Sequence, residues 1–172
     1  MSAFRTLAEI NSADREAFAA ALGHLFEHSP WVAEETWPQR PFRDGALLHA
    51  ALCATMRAAS RDRQLALIRA HPDLAGRLAQ QNQLTAESAR EQASAGLSRL
   101  TAEELAGFQK LNAAYLACFG FPFIICARLS NKSAILAAMQ ARIGNTPEAE
   151  FATALGEIEK IAQLRLNDLL KP

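Results

Sequence analysis

Residues 101–120 read TAEELAGFQKLNAAYLACFG, and this stretch carries clear signals for the start and the end of a helix. Thr101 and Glu104 form a capping box, in which each side chain accepts a backbone N–H of the first turn. Apolar residues then recur at helical spacing; they are Leu105, Phe108, Leu111, Tyr115, Leu116 and Phe119. Gly120 follows, and glycine readily adopts the left-handed conformation that closes a helix. The stretch therefore predicts one long amphipathic helix.

A helix-starting residue also precedes each of several other apolar stripes. These residues are Asn11 with Asp14, Ser29 with Pro30, Asp44, Thr85, Asn131, and Thr146 with Pro147. Their side-chain oxygens can accept the N–H groups of a first helical turn, and proline suits the first helical position. No run alternates apolar and polar residues convincingly, as a half-buried strand does. The sequence therefore predicts an all-α protein, a helical bundle that forms a single domain over residues 1–172.

Three stretches are predicted to depart from regular helix. Residues 37–42 contain two prolines, which interrupt helical hydrogen bonding. The helix through Leu67 and Ile68 should end at His71, because Pro72 disfavours the helical conformation of the residue before it. Residues 121–127 are apolar but carry no helix start or stop signal, which indicates an extended buried segment.

The composition excludes several classes of protein. The chain has 172 residues with 18 Lys and Arg against 18 Asp and Glu, so it has no electrostatic footprint for nucleic acid or an anionic membrane. No apolar run approaches the roughly 20 residues that cross a bilayer. Cys53, Cys118 and Cys126 form no CxxC pair, and the first residues lack the layout of a secretory signal. We therefore expect a cytoplasmic protein with free thiols and no nucleic-acid or membrane partner.

An arginine interrupts the apolar stripe of the last predicted helix. Arg165 lies four residues after Ile161 and four before Leu169, so its side chain projects from the core-facing side. A buried charge without a partner costs several kcal/mol, and an inward arginine must therefore be paired or bound to an anion. The pattern leaves open a structural ion pair, an arginine that reaches back to solvent, and a binding role.

A histidine lies where a helix is predicted to end. The dipole at a helix C-terminus favours the protonated imidazole, and a group that titrates near neutral pH suits acid–base chemistry at His71. A capping or packing role is the alternative. His24, His28 and His49 are scattered, and no group of His, Cys, Asp and Glu has the spacing of metal ligands, so we expect no metal site.

Three polar residues share one face of the helix that opens at Thr85. Ser88, Glu91 and Gln92 lie three and four residues apart, which places their side chains together. They form either a set of hydrogen-bonding groups for a ligand or an ordinary solvated face.

The order of these motifs resembles that of the 2-oxo-4-hydroxy-4-carboxy-5-ureidoimidazoline (OHCU) decarboxylases, which act last in the conversion of urate to allantoin. The resemblance covers nearly the whole chain, and the order and spacing of its pieces make it specific. The pieces include residues 26–34, Ala70-His71-Pro72-Asp73, Ser88 with Glu91-Gln92, residues 119–126, and Arg165-Leu166.

The resemblance implies a cofactor-free carboxy-lyase that acts as a homodimer on the ureidoimidazoline substrate and forms (S)-allantoin and CO2. It assigns catalytic roles to His71, as general acid/base, and to Glu91 and Arg165. It also implies substrate contacts, and Glu91 makes one of them. In residues 123–127 the contacts are made largely through backbone groups. The implied substrate contacts fall on Pro72, Ser88, Glu91, Gln92, Phe123, Ile124, Ile125, Cys126 and Ala127.

The chemistry of this substrate is compatible with a site that holds no cofactor. Its carboxylate lies on a carbon next to a ring C=N, which accepts the electron pair that other decarboxylases pass to a cofactor. The protein then has to orient the substrate and to protonate one face of an enol-like intermediate. Ser88 and Gln92 suit urea-like groups, Arg165 suits substrate oxygens, and amides near Ile124 and Ile125 suit developing oxyanion charge.

Two other functions are compatible with the pattern. Trp31, Trp37 and Phe42 could form an apolar groove for a partner helix, although core packing under a loop or a dimer interface is the favoured explanation for them. Hydrolysis of a ureide such as 5-hydroxyisourate is the second alternative, but the sequence has no recognisable nucleophile motif. Saturable binding of allantoin separates a decarboxylase from a helical scaffold.

Overall fold

The computed structural model describes residues 6–76, 79 and 81–170. The helices among these residues are α1 Leu7–Ser12, α2 Arg15–Leu22, α3 Trp31–Thr36, α4 Gly45–Ala58, α5 Arg61–Ala70, α6 Ala86–Ser94, α7 Ala102–Phe119, α8 Lys132–Arg142 and α9 Pro147–Leu169. Short 3₁₀ turns lie at Gly23–Leu25, Trp37–Gln39 and Ala127–Leu129. No strand occurs in the described part of the chain, and the all-α prediction is confirmed.

Most of the predicted capping residues begin helices as expected. At the start of α7, the Thr101 hydroxyl accepts the N–H of Glu104 at 3.1 Å, and the Glu104 carboxylate accepts the N–H of Thr101 at 2.8 Å. Asp44 accepts the N–H of Leu47 at 2.8 Å to open α4. Gly120 ends α7 with a φ of 72°, the left-handed conformation that the sequence predicted.

Two predicted capping residues have other roles. Asn11 lies near the end of α1, and its side-chain amide bonds both backbone groups of Phe42 at 2.8 Å. Asp14 alone opens α2, where its carboxylate accepts the N–H of Ala17. Ser29 makes no capping bond, because Pro30 itself occupies the position before the first turn of α3. The prediction was wrong at Asn11, whose side chain makes a tertiary contact with Phe42, and at Ser29, because Pro30 occupies the N-cap position.

The contacts between Cα atoms group the described residues into two compact units. The first unit is built from described residues of Met1–Ala70 and Glu159–Pro172, and the second from those of His71–Ile158. Whether the chain behaves as a single domain stays a prediction. In the described part of the chain, none of the helices combines the length and the apolar character that a bilayer crossing requires.

The proline-containing segment of the first unit is held by Arg40. Residues 37–42 form a 3₁₀ turn and an irregular continuation, as the prolines predicted. The Arg40 guanidinium lies 4.2 Å from the centre of the Trp37 ring and donates to the Asn11 carbonyl at 2.8 Å. The Trp37 indole N–H donates to the Ala13 carbonyl at 3.1 Å, and Phe42 is buried. These contacts favour core packing over a partner groove for Trp37 and Phe42.

An aromatic cluster forms the centre of the second unit. Tyr115 is fully buried on α7, and its ring lies 4.5 Å from that of Phe119 and 5.2 Å from that of Phe123, centre to centre. Residues 121–127 have no regular structure before the 3₁₀ turn, and all except Ile125 are buried. The prediction that this segment is buried and not helical is therefore confirmed up to the 3₁₀ turn.

Candidate active site

His71 lies at the start of a tight loop, residues 71–76, that directly follows α5. Its side chain is buried, with 8% of the residue exposed. The N–H of Gly76 donates to the Asp73 carbonyl at 3.3 Å, which closes a turn. A Cβ on Gly76 would lie 2.5 Å from the Asp73 Cβ, so the turn requires glycine. Ala75 adopts a φ of 52°, which non-glycine residues rarely adopt. We call residues 71–76 the His71 loop.

Two amide side chains hold the backbone of the His71 loop. The Gln92 side-chain oxygen accepts the N–H of Ala75 at 2.9 Å, and its nitrogen donates to the Asp73 carbonyl at 3.4 Å. The Asn112 side chain donates to the Leu74 carbonyl at 2.9 Å. His71 lies two residues before Asp73, which is at most about 7 Å along the chain. The bonds from Gln92 and Asn112 to the loop therefore also restrict the position of His71. Gln92 therefore has a structural role that the sequence did not predict, and its substrate contact stays a prediction.

The polar face of α6 is largely buried. Ser88 and Gln92 are each 5% exposed, and Glu91 is half-buried. Thr85 caps the helix by accepting the N–H of Ser88 at 3.3 Å. The solvated face that the sequence left open is therefore wrong for Ser88 and Gln92.

The segment Phe123–Ala127 lies close to the same helix. α6 packs against the 3₁₀ turn that begins at Ala127. Burial raises the pKa of the Cys126 thiol, and the carboxylates of Glu157 and Glu91 raise it further. The second unit thus brings together, around α6, the His71 loop, the polar face of α6 and the backbone-rich segment that the sequence singled out.

Arg165 belongs to the first unit, where it pairs with a buried carboxylate. Its two terminal nitrogens donate to one Glu27 oxygen at 3.0 Å each, and one of them also donates to the His24 carbonyl at 3.0 Å. Arg165 is 4% exposed and Glu27 is 3% exposed. The prediction that an inward arginine must be paired is confirmed, and the alternative in which it reaches solvent is wrong. A catalytic role for Arg165 stays a prediction.

A second buried charge cluster was not predicted. Glu150 is fully buried, and its carboxylate accepts hydrogen bonds from Tyr115, from Arg142 at 3.0 Å and from Asn145 at 2.7 Å. We call these four residues the Glu150 network. The sequence carried one signal that pointed to this network: Tyr115 lies on a buried stripe, where its hydroxyl needs a hydrogen-bond partner. Glu150 itself resembles an ordinary acidic residue in the first turn of a helix.

Stability should fall in acid because of Glu150. Burial alone raises the pKa of Glu150, but hydrogen bonds from Arg142, Tyr115 and Asn145 outweigh burial and hold that pKa below its ordinary 4.5. A lowered folded-state pKa gives stability that is present above the ordinary value and is lost as the pH falls through the folded value. We expect the free energy of unfolding, measured with urea, to decrease in acid. The decrease should be shallower in Glu150→Gln, and an equal slope would contradict this assignment.

The three thiols are free, as predicted. Burial raises the pKa of Cys53 to about 12, and burial also raises that of Cys126. A nucleophilic cysteine instead needs a lowered pKa. Within the described ranges, no group of three or more His, Cys, Asp or Glu side chains is placed to hold a metal ion.

A cavity of about 440 Å³ lies on the neighbouring face of α6. Its described lining is mostly alanine and leucine, with Asn82, Gln92 and Ser98 as polar members. It shares Gln92 with the predicted site, whereas His71, Ser88 and Glu91 are not part of this lining.

Replacing Gln92 tests its role in the His71 loop. In Gln92→Leu, the buried N–H of Ala75 loses its acceptor, which should cost about 1–3 kcal/mol of unfolding free energy. Gln92→Glu keeps an acceptor and should retain more of that stability. Urea unfolding and turnover are measured on both variants. If Gln92→Leu changed only KM and left stability untouched, Gln92 would act on the substrate and not on the loop.

Comparison with known proteins identifies the family that the chain is similar to. The family model for OHCU decarboxylases matches residues 11–167. The chain is 44% identical to the OHCU decarboxylase of Halalkalicoccus jeotgali, over 97% of this chain and 93% of that one. It is 43% identical to the mouse (Mus musculus) enzyme of that name, over 95% and 92% of the two chains.

A solved structure shares the fold. The crystal structure of (S)-allantoin synthase matches with a TM-score of 0.79 and 33% identity. The match covers 98% of this chain and 54% of that chain, so this chain spans about half of the synthase. The resemblance of the motifs is thereby confirmed, and the chain belongs to the OHCU decarboxylase family.

Proposed function

We propose that the chain decarboxylates 2-oxo-4-hydroxy-4-carboxy-5-ureidoimidazoline to (S)-allantoin and CO2 during urate breakdown, with His71 as general acid/base. Membership of the family makes the chain a carboxy-lyase. The structural observation that carries the assignment to His71 is its burial at the start of a loop held by α6, the helix that also presents Ser88 and Glu91.

The reaction needs one proton delivered to one face of a planar intermediate. The bond between the ring carbon and the carboxylate breaks, CO2 leaves, and the electron pair forms a C=C bond while the imine nitrogen takes up a proton. The enol then loses its hydroxyl proton, and the ureido-bearing carbon gains a proton, so that the reaction consumes one proton overall. A single imidazole on one side of the substrate can exchange both protons, and the face that it occupies sets the enantiomer.

The neighbouring groups have roles that match the substrate. Glu91 orients the imidazole of His71 or accepts the ureido N–H groups, and Ser88 offers both a donor and an acceptor. Peptide groups of residues 123–127 suit the substrate oxygen that gains negative charge. Arg165 is proposed to bind substrate oxygens. A firm grip on the departing carboxylate would stabilise the ground state, which does not accelerate the reaction.

We also propose that the protein is a homodimer in the cytoplasm, that it needs no metal or other cofactor, and that it binds neither nucleic acid nor membranes. These proposals follow the family resemblance and the balanced charge. Sedimentation of the purified chain measures its oligomeric state and so tests the dimer. Activity that is lost with EDTA and restored by a divalent metal would refute the cofactor-free mechanism.

The test is to generate the substrate in place and to follow the product by circular dichroism. Urate oxidase and 5-hydroxyisourate hydrolase supply the substrate, and this protein is then added. Unassisted decay protonates either face and gives a racemate without lasting signal. We expect a rapid signal of the sign of (S)-allantoin. A trace identical to that of the control without the protein would refute the proposal and would favour the helical scaffold.

A further inference from the structure

Two half-buried side chains hold the backbone of the segment Phe123–Ala127 from two different helices. Arg142, at the end of α8, donates to the Ile124 carbonyl at 2.9 Å, and its guanidinium lies 4.2 Å from the centre of the Phe123 ring. Glu157, on α9, accepts the N–H of Cys126 at 2.8 Å. One carbonyl and one amide of the segment are therefore held, two residues apart, by charged groups of the same unit.

The position of Arg142 is in turn set by the Glu150 network. The side chain of Glu150 is fully buried and that of Arg142 is 14% exposed. Apolar residues of similar volume often stabilise a protein as well as a buried ion pair does, so stability alone is a weak reason for this pair. Apolar residues cannot, however, donate to the Ile124 carbonyl. A guanidinium can, because its planar fork reaches a carboxylate and a carbonyl at the same time.

We propose that Arg142 and Glu157 are positioning residues that fix the segment Phe123–Ala127 in the orientation in which its peptide groups meet the substrate. This inference rests on the proposed function, which assigns substrate contacts to that segment. Neither side chain needs to touch the substrate. Their effect on the rate comes from the precision of the backbone, since a misplacement of about 1 Å can cost about 100-fold in rate.

The first test compares two substitutions of Glu157. Glu157→Gln keeps an oxygen that accepts the N–H of Cys126, whereas Glu157→Leu removes it. We expect Glu157→Leu to lower kcat by about tenfold or more, and to speed hydrogen exchange of the Cys126 amide in NMR spectra. Glu157→Gln should restore both quantities. If Glu157→Gln lost as much activity as Glu157→Leu, the charge and not the acceptor would matter, and the inference would be overturned at Glu157.

The second test removes the Glu150 network without leaving a buried charge. The triple variant Arg142→Met, Glu150→Leu and Tyr115→Phe replaces its charged and hydroxyl groups by apolar ones. We expect a folded protein whose kcat is lower by about tenfold or more, with faster exchange of the Ile125 amide. The matched control, Arg57→Met with Glu159→Leu, removes another ion pair, of 2.6 Å, and should leave kcat unchanged. Wild-type kcat in the triple variant would overturn the inference at Arg142.

The two proposals fail in different ways. If the wild-type protein forms no (S)-allantoin, the proposed function is refuted, and amide exchange alone then decides whether Arg142 and Glu157 order the segment. If the wild type is active and Glu157→Leu and the triple variant both match it, the proposed function stands and the positioning role is refuted. Should the triple variant not fold, Glu157→Leu still decides the question, because it leaves the Glu150 network intact.

Discussion

His71→Asn should abolish enantioselective formation of (S)-allantoin while the protein stays folded. Asparagine is similar in size and can form hydrogen bonds, but it does not titrate, so the proton transfer is lost. General acid–base catalysis typically contributes about 10²- to 10⁴-fold, and we expect kcat to fall by that amount. Any allantoin that still forms should be racemic, because unassisted protonation occurs on both faces. The measurement is the coupled circular dichroism assay together with the melting curve of the variant.

The control for this variant is a second histidine that is not part of the predicted site. His49 is half-buried on α4, and its ring nitrogen contacts the Glu159 carbonyl at 2.9 Å. His49→Asn should therefore cost some stability and leave the enantiomeric excess unchanged. If His71→Asn kept both the rate and the enantiomeric excess of the wild type, the acid/base assignment would be wrong, whatever its effect on stability.

The helices could be predicted because their signals are local. Thr101 and Glu104 are three residues apart, and each finds its partner within the same turn regardless of the rest of the fold. Asn11 shows the limit of this reasoning. Asparagine is a residue type that commonly caps helices. The side-chain amide of Asn11 instead binds Phe42, 31 positions later, where it satisfies both the carbonyl and the N–H of that residue.

The sequence predicted which residues belong to the candidate site better than it predicted the contacts that those residues make. Helical spacing placed Ser88 and Gln92 on one face, and the structure buries both. The spacing could not show that Gln92 bonds the His71 loop, because that bond depends on where residues 73–75 return in space. Glu150 was missed for the same reason. An acidic residue in a first turn is common on a surface, and only the tertiary fold surrounds this one with donors.

Arg165→Met should destabilise the protein strongly. The substitution removes the guanidinium from beside the Glu27 carboxylate, which is 3% exposed, and breaking a buried ion pair on one side typically costs about 3–5 kcal/mol. We expect a loss of unfolding free energy of that size in urea. Activity measured on this variant alone would be ambiguous, because a loss of stability and a loss of substrate binding would look the same.

The double variant Arg165→Met with Glu27→Leu separates the two roles of Arg165. Replacing both charges by apolar groups of similar volume is often neutral for stability, so most of the lost unfolding free energy should return. If Arg165 also binds substrate oxygens, kcat/KM should stay low in this stable double variant, because no guanidinium is present. If kcat/KM returns together with stability, Arg165 acts only through its ion pair with Glu27, and the catalytic assignment of Arg165 is wrong.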